Sequence, residues 1–436
     1  MTINESIKTT NVKFSDLGLI EPLLRALRDE KYEHPTPIQA QAIPHLIADR
    51  DLLGCAQTGT GKTAAFALPM LQKLANSPKA PKRGTPRALI LTPTRELADQ
   101  IGRSFMSYGR HLRVSHTVVY GGVSMGPQAR ALSRGVDILV ATPGRLMDHM
   151  RQKLVFLDKL EVFVLDEADR MLDMGFVTDV KKIIAFLPKQ RQTLFFSATM
   201  PTAAAQLSAA LLTDPVQVKV NPTSSTAEKV EQRVMFVRRE NKEALLLSLL
   251  QDSAINKALI FTRTKHRANH LAEKLNKSMV RAEAIHGNKS QGARNQALRN
   301  FSMGKSRVLV ATDVASRGID IKDISHVINF EMPNDTESYV HRIGRTARAG
   351  TSGIALSFCD GEERSILRDI ERTIRTQITV DAEHPFHVAH TGHAAPHKPK
   401  GFGGGGGGGN FPRRNNFRPR GRNDRFGGRP TERSAS

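Results

Sequence analysis

Cysteine is scarce: Cys55 and Cys359 are the only two in 436 residues. That density excludes a disulfide scaffold. The two thiols end the apolar runs DLLGC and GIALSFC, far apart in sequence, and this placement suggests a reducing compartment. No apolar run approaches the roughly 20 residues needed to span a bilayer. The opening MTINESIKTTNVKF lacks a basic start followed by an apolar stretch, so no secretory signal is visible. A soluble, cytoplasmic protein with no membrane partner is expected. Acidic side chains are also in deficit, 42 against 64 Lys and Arg, giving a net charge of +22. Clustered cations bind phosphates and release counterions, so the surplus points to a nucleic-acid partner rather than to solubility alone. At 39% hydrophobic and 24% charged, the chain has enough apolar side chains for a large core. Its 436 residues exceed one ordinary domain.

From residue 51 to 220, short β-rich runs alternate with helix-like segments: DLLGC, RALIL, HTVVY, DILVA, VFVLD, TLFFS and VQVKV. These runs are apolar throughout instead of alternating in polarity. Strands buried on both faces read this way, which predicts a parallel sheet covered by helices. The turn formers of NPTSSTAEK (221–229) read as an interdomain linker. A second series follows from Val230: VMFV, ALIF, AEAI, RVLVA, HVINF and IALSF, ending near Arg375. The fold class is therefore α/β, two tandem parallel-sheet domains with a cleft between them. Such a cleft suits a ligand that controls closure.

Composition changes sharply at about Asp381. Five histidines, His384, His387, His390, His393 and His397, precede seven consecutive glycines at 403–409 and an arginine-rich end. Apolar content is too low to bury a core, so residues 381–436 read as a disordered tail. The histidines lack a cysteine or carboxylate at ligand spacing, and a flexible polar stretch is preferred over a metal site. From Thr391 on, Lys398, Lys400 and eight arginines face only Asp424 and Glu432, so the tail carries about +8 of the charge. Phe402, Phe411, Phe417 and Phe426 interleave with the arginines. Cations for phosphates and rings for bases make a sequence-tolerant RNA-binding combination, beside the blander reading of a solubilising tail.

Three motifs carry chemistry. The first is AQTGTGKT, comprising Ala56, Gln57, Thr58, Gly59, Thr60, Gly61, Lys62 and Thr63, directly after a strand. Glycines let backbone N–H groups turn around a phosphate chain, and the following helix adds its positive end. Lys62 would reach the β- and γ-phosphates, and the Thr63 hydroxyl would bind Mg²⁺. The second is VFVLDEAD, where Asp166, Glu167 and Asp169 follow an apolar strand. Asp166 at the sheet's C-terminal edge suits Mg²⁺ held partly through water, and Glu167 can orient the attacking water. The third is YVHRIGRTARAG, with Arg342, Arg345 and Arg348 every three residues. Alone it reads as a surface charge run. Facing a nucleotide site, these arginines become arginine fingers whose effect depends on closure, with Arg345 and Arg348 as the catalytic candidates.

In these blocks and their order, residues 13–375 resemble the DEAD-box RNA helicases. Phe14 and YEHPTPIQ, with Tyr32 and Gln39, resemble the adenine-reading Q motif, which implies ATP: Tyr32 would stack on the base and Gln39 bond its edge. Pro93, Thr94 and Arg95, Gly121 and Gly122, and Thr142 with Arg145 resemble the first domain's RNA-backbone motifs. Ser197 and Thr199 of SAT resemble the block coupling hydrolysis to unwinding, together with Asp169 and His341. Thr262 and Arg263, Gln291 and Arg294, and Thr312 resemble the second domain's RNA contacts, and Asp320 would lie near the ATP ribose. Two departures are visible. Lys31 and Ala347 stand where the family usually has glycine. DEADRMLDMGF and the basic tail most resemble bacterial proteins of the RhlE type.

The resemblance implies two RecA-like domains: a Q-motif segment (1–40), an ATP-binding domain (41–220), the linker, and a C-terminal helicase domain (230–380). It implies ATP and Mg²⁺ as cofactors and sequence-nonspecific RNA as partner, with ribosome-assembly or RNA-decay complexes as settings. The implied activity is ATP-dependent opening of short duplexes by a closed form that grips one strand's backbone. The alternatives are a DNA-directed motor and an RNA-binding annealer or clamp that unwinds little.

Overall fold

Each apolar run named above forms a strand. In chain order they are β1 (Leu52–Cys55), β2 (Ala88–Leu91), β3 (His116–Val119), β4 (Ile138–Ala141), β5 (Val162–Leu165), β6 (Gln192–Ser197), β7 (Val216–Lys219), β8 (Val230–Phe236), β9 (Ala258–Phe261), β10 (Ala282–Ile285), β11 (Val308–Ala311), β12 (His326–Asn329) and β13 (Gly353–Cys359). A further short strand, β14 (Thr379–Val380), follows. The computed structural model describes residues 12–56, 59–220, 230–313, 323–347 and 353–388.

The helices between them are α1 (Glu21–Asp29), α2 (Pro37–Ile47), α3 (Lys62–Asn76), α4 (Arg95–Tyr108), α5 (Met125–Arg134), α6 (Pro143–Arg151), α7 (Ala168–Asp173), α8 (Val177–Ile184), α9 (Thr202–Leu211), α10 (Lys242–Leu249), α11 (Lys265–Lys277), α12 (Gln291–Ser302), α13 (Thr336–Ile343) and α14 (Arg364–Ile374).

Among the described residues all strand pairs are parallel, in two seven-stranded sheets ordered β3-β4-β2-β5-β6-β1-β7 and β10-β11-β9-β12-β13-β8-β14. The second order is the first with seven added to each label, so one topology is used twice. Both sheets lie in one unit, Met1–Ala389. The period of two along each strand sends alternate side chains to opposite faces. Ala88 and Ile90 join the core shared with α3 and α4, whereas Leu89 and Leu91 join the core beneath α6 and α8. Helices on both faces explain why the inner strands are continuously apolar, whereas β7 at the sheet edge alternates, with Gln217 and Lys219 exposed.

Two boundaries differ from the compositional reading. Phe14, Leu17, Leu23 and Leu27 pack in the same core as α2 and α3, so the described residues before α2 are part of the first sheet's domain. At the other end, Asp381 N–H donates to Val234 O at 2.9 Å, Val388 N–H donates to Phe236 O at 3.1 Å, and Phe386 packs on the second core. Backbone pairing with β8 thus holds residues 381–388 in place despite their polar composition. The linker 221–229 and tail residues 389–436 lie outside the described residues. The His384 and His387 rings meet edge-on at 5.6 Å; among the described residues no three metal-type side chains gather. Cys359 is buried and Cys55 half-buried, both as free thiols. No described helix is long and apolar enough to cross a membrane.

Candidate nucleotide and RNA sites

Strand β1 delivers the chain to the glycine-rich loop, and Lys62 opens α3. Gly59 and Gly61 have φ of 85° and 93°, conformations that an L side chain resists. At Gly61 a Cβ would also lie 2.4 Å from the Gln39 amide nitrogen. Lys62 is 6% exposed, and its ammonium donates to Ala56 O at 2.9 Å across the loop. Gln57 and Thr58 lie outside the described residues. Gln39 is tied at both ends: its carbonyl accepts from Thr36 N–H at 2.9 Å and its amide donates to Gly61 O at 3.1 Å. It thereby clamps the start of α2 to the phosphate loop. Phe14 is buried in the core. Tyr32 is half-exposed, its ring centroid 6.4 Å from that of Tyr108.

Beside the loop, β5 ends in Asp166, whose backbone N–H still follows the ladder to Leu91 O at 3.0 Å. Asp166 is 2% exposed. Burial pushes its carboxyl up to about 6; the Lys62 charge opposes this and the Glu167 charge adds to it. One Asp166 oxygen accepts from Glu167 N–H at 3.0 Å. Glu167 itself sits at φ 54° and ψ 52°. A non-glycine residue pays about 1–2 kcal/mol for that left-handed backbone, and such outliers concentrate at functional sites. The buried Glu167 carboxylate is ion-paired with Arg170.

Asp169 joins this strand end to the next. Its Oδ2 accepts from Ala198 N–H at 3.1 Å, Thr199 N–H at 2.8 Å and the Thr199 hydroxyl at 3.0 Å. Ser197 Oγ in turn accepts from Asp169 N–H at 3.2 Å and donates to Thr199 O at 2.6 Å. The end of β6 is thus locked to the start of α7.

The candidate RNA residues fall along the C-terminal ends of the strands, as parallel-sheet topology requires. Thr94 caps α4 and accepts from Leu97 N–H at 3.3 Å. Pro93 and Thr142 are buried at helix starts. The Arg95 guanidinium lies against the Gly121–Gly122 turn, where a Cβ on Gly122 would sit 2.0 Å from it. Arg145 donates to Gln128 Oε1 at 3.2 Å and to Val123 O at 3.0 Å, and the Gln128 amide donates to Tyr120 O at 3.0 Å, so Gln128 ties Arg145 to the chain beside Gly121. Sequence reading did not mark Gln128, whose partner Arg145 lies 17 residues away, or Arg170, which pairs with Glu167 three residues before it.

The two sheets' blocks meet. Glu96 Oε1 accepts from Arg294 at 2.8 Å and from the Gln291 amide at 3.1 Å, while Arg95 donates to Gln291 Oε1 at 3.2 Å. Burial pulls the Arg294 guanidinium below its ordinary pKa, with Glu96 opposing. Within the second domain, Thr262 and Thr312 are buried at strand ends. Arg263 is turned into its own domain, donating to Glu363 at 2.7 Å and to Met332 O at 2.8 Å. Of the arginine triplet, Arg342 is structural: it forks onto Asp313 at 2.6 and 2.7 Å and lies over Phe261. Arg345 is buried and donates to the His341 carbonyl at 3.2 Å. Arg348 and Asp320 lie outside the described residues.

A phosphate loop, strand-end carboxylates and a second sheet of identical order define a tandem RecA-like protein. The family models "DEAD/DEAH box helicase" and "Helicase conserved C-terminal domain" match residues 36–207 and 241–350. The DEAD-box ATP-dependent RNA helicase CshA of Bacillus subtilis is 43% identical over 367 residues, covering 84% of this chain and 73% of that protein. The ATP-dependent RNA helicase DeaD of Escherichia coli is 45% identical over 366 residues, covering 84% of this chain and 57% of that protein. The structure of S. cerevisiae Dbp5 bound to RNA and ADP BeF3 aligns with a TM-score of 0.73 at 32% identity, covering 85% of this chain and 95% of that one. This chain belongs to the DEAD-box RNA helicase family.

Proposed function

We propose that this protein is an RNA-dependent ATPase that closes its two RecA-like domains (41–220 and 230–380) on one RNA strand and so opens short duplexes. The single observation carrying this reading is the Glu96–Arg294–Gln291–Arg95 cluster. It joins the candidate RNA blocks of the two sheets, so joining the sheets and shaping the RNA track are one event.

At the nucleotide site, Lys62 exchanges its Ala56 partner for the β- and γ-phosphates, while backbone N–H groups of 56–63 surround the chain of phosphates. Phe14, Tyr32 and Gln39 shape the adenine end; Asp320 serves the ribose. Asp166 and Thr63 are hard oxygen donors on adjoining elements, and a carboxyl whose burial raises its proton affinity is suited to a cation instead. They would hold Mg²⁺, which neutralises phosphate charge when bound. Glu167 orients the water whose oxygen bonds to the γ-phosphorus as the bond to ADP breaks. Arg345 and Arg348 stabilise the transferring group. Asp169, Ser197, Thr199 and His341 couple this step to the RNA track of Pro93, Thr94, Arg95, Gly121, Gly122, Thr142, Arg145, Thr262, Arg263, Gln291, Arg294 and Thr312. Contacts to sugar and phosphate carry no base information, so the core grips RNA without sequence preference. The basic tail adds a tether.

DEADRMLDMGF and the tail composition support a RhlE-type placement in the family, in the cytoplasm, with ribosome assembly or RNA decay as settings. Unwinding of a short RNA duplex tests the reading. Wild type should separate strands with ATP, and Lys62→Ala should not. Strand separation by Lys62→Ala at the wild-type rate would overturn it, and annealing without unwinding would favour a clamp.

A further inference from the structure

We propose that Arg170 is a positioning residue for ATP hydrolysis, fixing the Glu167 carboxylate in one orientation for the attacking water. The proposal rests on reading Glu167 as the water-orienting group.

The backbone of Glu167 is held on both sides: its N–H donates to Asp166 Oδ1 at 3.0 Å, and its carbonyl accepts from Met171 N–H at 3.1 Å. Its left-handed φ of 54° directs the side chain differently from a helical residue. That leaves the side-chain torsions as the remaining freedom. Arg170 removes it by pairing with Oε2 through Nη1, with the two side chains 7% and 5% exposed. One carboxylate oxygen is thereby engaged, and the other, which accepts no hydrogen bond among the described residues, is the acceptor for a water proton.

Arg170 also has a second attachment. Its backbone N–H donates to Asp169 Oδ1 at 3.0 Å, and the other oxygen of Asp169 holds Ala198 and Thr199. One residue therefore links the hydrolytic glutamate to the network that senses the end of β6. Phosphoryl transfer through a loose transition state depends more on placement than on covalent help, so a group that fixes the water's partner acts on turnover. A guanidinium suits this task because its planar fork sets direction as well as charge.

The test is steady-state RNA-stimulated ATP hydrolysis by full-length Arg170→Gln and Arg170→Lys, beside Glu167→Gln. Affinities for a fluorescent ATP analogue and for single-stranded RNA are measured on the same samples, with thermal melting to confirm folding. The expected result is kcat lowered about tenfold in Arg170→Gln, KM for ATP and both affinities within about twofold, and partial recovery in Arg170→Lys. An unchanged kcat in folded Arg170→Gln, while Glu167→Gln is inactive, would overturn the role of Arg170 and leave that of Glu167 intact. A matched fall in analogue affinity and kcat would also overturn it, because the pair would then only shape the nucleotide site. Wild-type turnover in Glu167→Gln would remove the premise itself.

Discussion

Glu96→Ala removes the acceptor shared by Arg294 and Gln291, two residues contributed by α12 of the other domain. Both ends of the ion pair are buried, the side chains of Arg294 and Glu96 being 10% and 6% exposed. Removing one member of a buried pair typically costs about 3–5 kcal/mol, because the remaining charge stays buried without compensation. Some water reaches a side chain that is not fully covered, so the lower end, about 3 kcal/mol, is the better figure. At about 1.4 kcal/mol per factor of ten, the joined state becomes roughly 100-fold rarer. The assay is RNA affinity by fluorescence anisotropy, with ADP·BeF3 and without nucleotide. With the analogue the variant should bind about 100-fold more weakly. Without nucleotide the change should be small, because separated domains hydrate both groups. Glu96→Gln keeps an acceptor and should lose about tenfold, in line with a hydrogen bond to a charged group. Equal losses in both conditions, or none with the analogue, would refute the coupling of domain joining to RNA grip.

Four further outcomes are expected. Glu167→Gln should bind ATP normally, lose at least about 100-fold in turnover and remain trapped on RNA, as read by hydrolysis and dissociation rates. Asp169→Asn disrupts three hydrogen bonds to Ala198 and Thr199, so unwinding should fall more than ATP hydrolysis when both are measured on one preparation. Lys31 and Ala347 have φ of 59° and 53°, so replacing either by glycine should raise stability by roughly 0.5–1 kcal/mol, after glycine's own entropy cost, in chemical denaturation. Deleting residues 391–436 should weaken RNA binding and flatten its dependence on salt, while ATP hydrolysis persists at saturating RNA.

Much of this was legible because parallel strands advertise themselves. DILVA and ALIF are apolar on both faces, and β4 and β9 form where those runs lie. Strand β14 was not marked: Thr379 and Val380 are exposed, and only their backbone pairing with β8 makes a strand of them. The stretch 381–388 was assigned to the tail for the same reason, since docking through main-chain bonds leaves no compositional trace. The Lys31 and Ala347 departures were visible as letters, but their left-handed backbone was not. The arginine triplet also shows the limit of pattern: spacing treats Arg342 and Arg345 alike, whereas Arg342 is consumed by Asp313 within its own domain. Glu96 escaped notice because Arg294 and Gln291 reach it only through tertiary packing, and Arg170 because its pairing with Glu167, three residues back, depends on the left-handed backbone of Glu167.

The measurement that bears most directly on the central claim is steady-state ATP hydrolysis with no nucleic acid, with single-stranded RNA, and with DNA of the same sequence. Strong stimulation by RNA and little by DNA is the predicted result. Equal stimulation by DNA, or no hydrolysis under any of the three conditions, would contradict it.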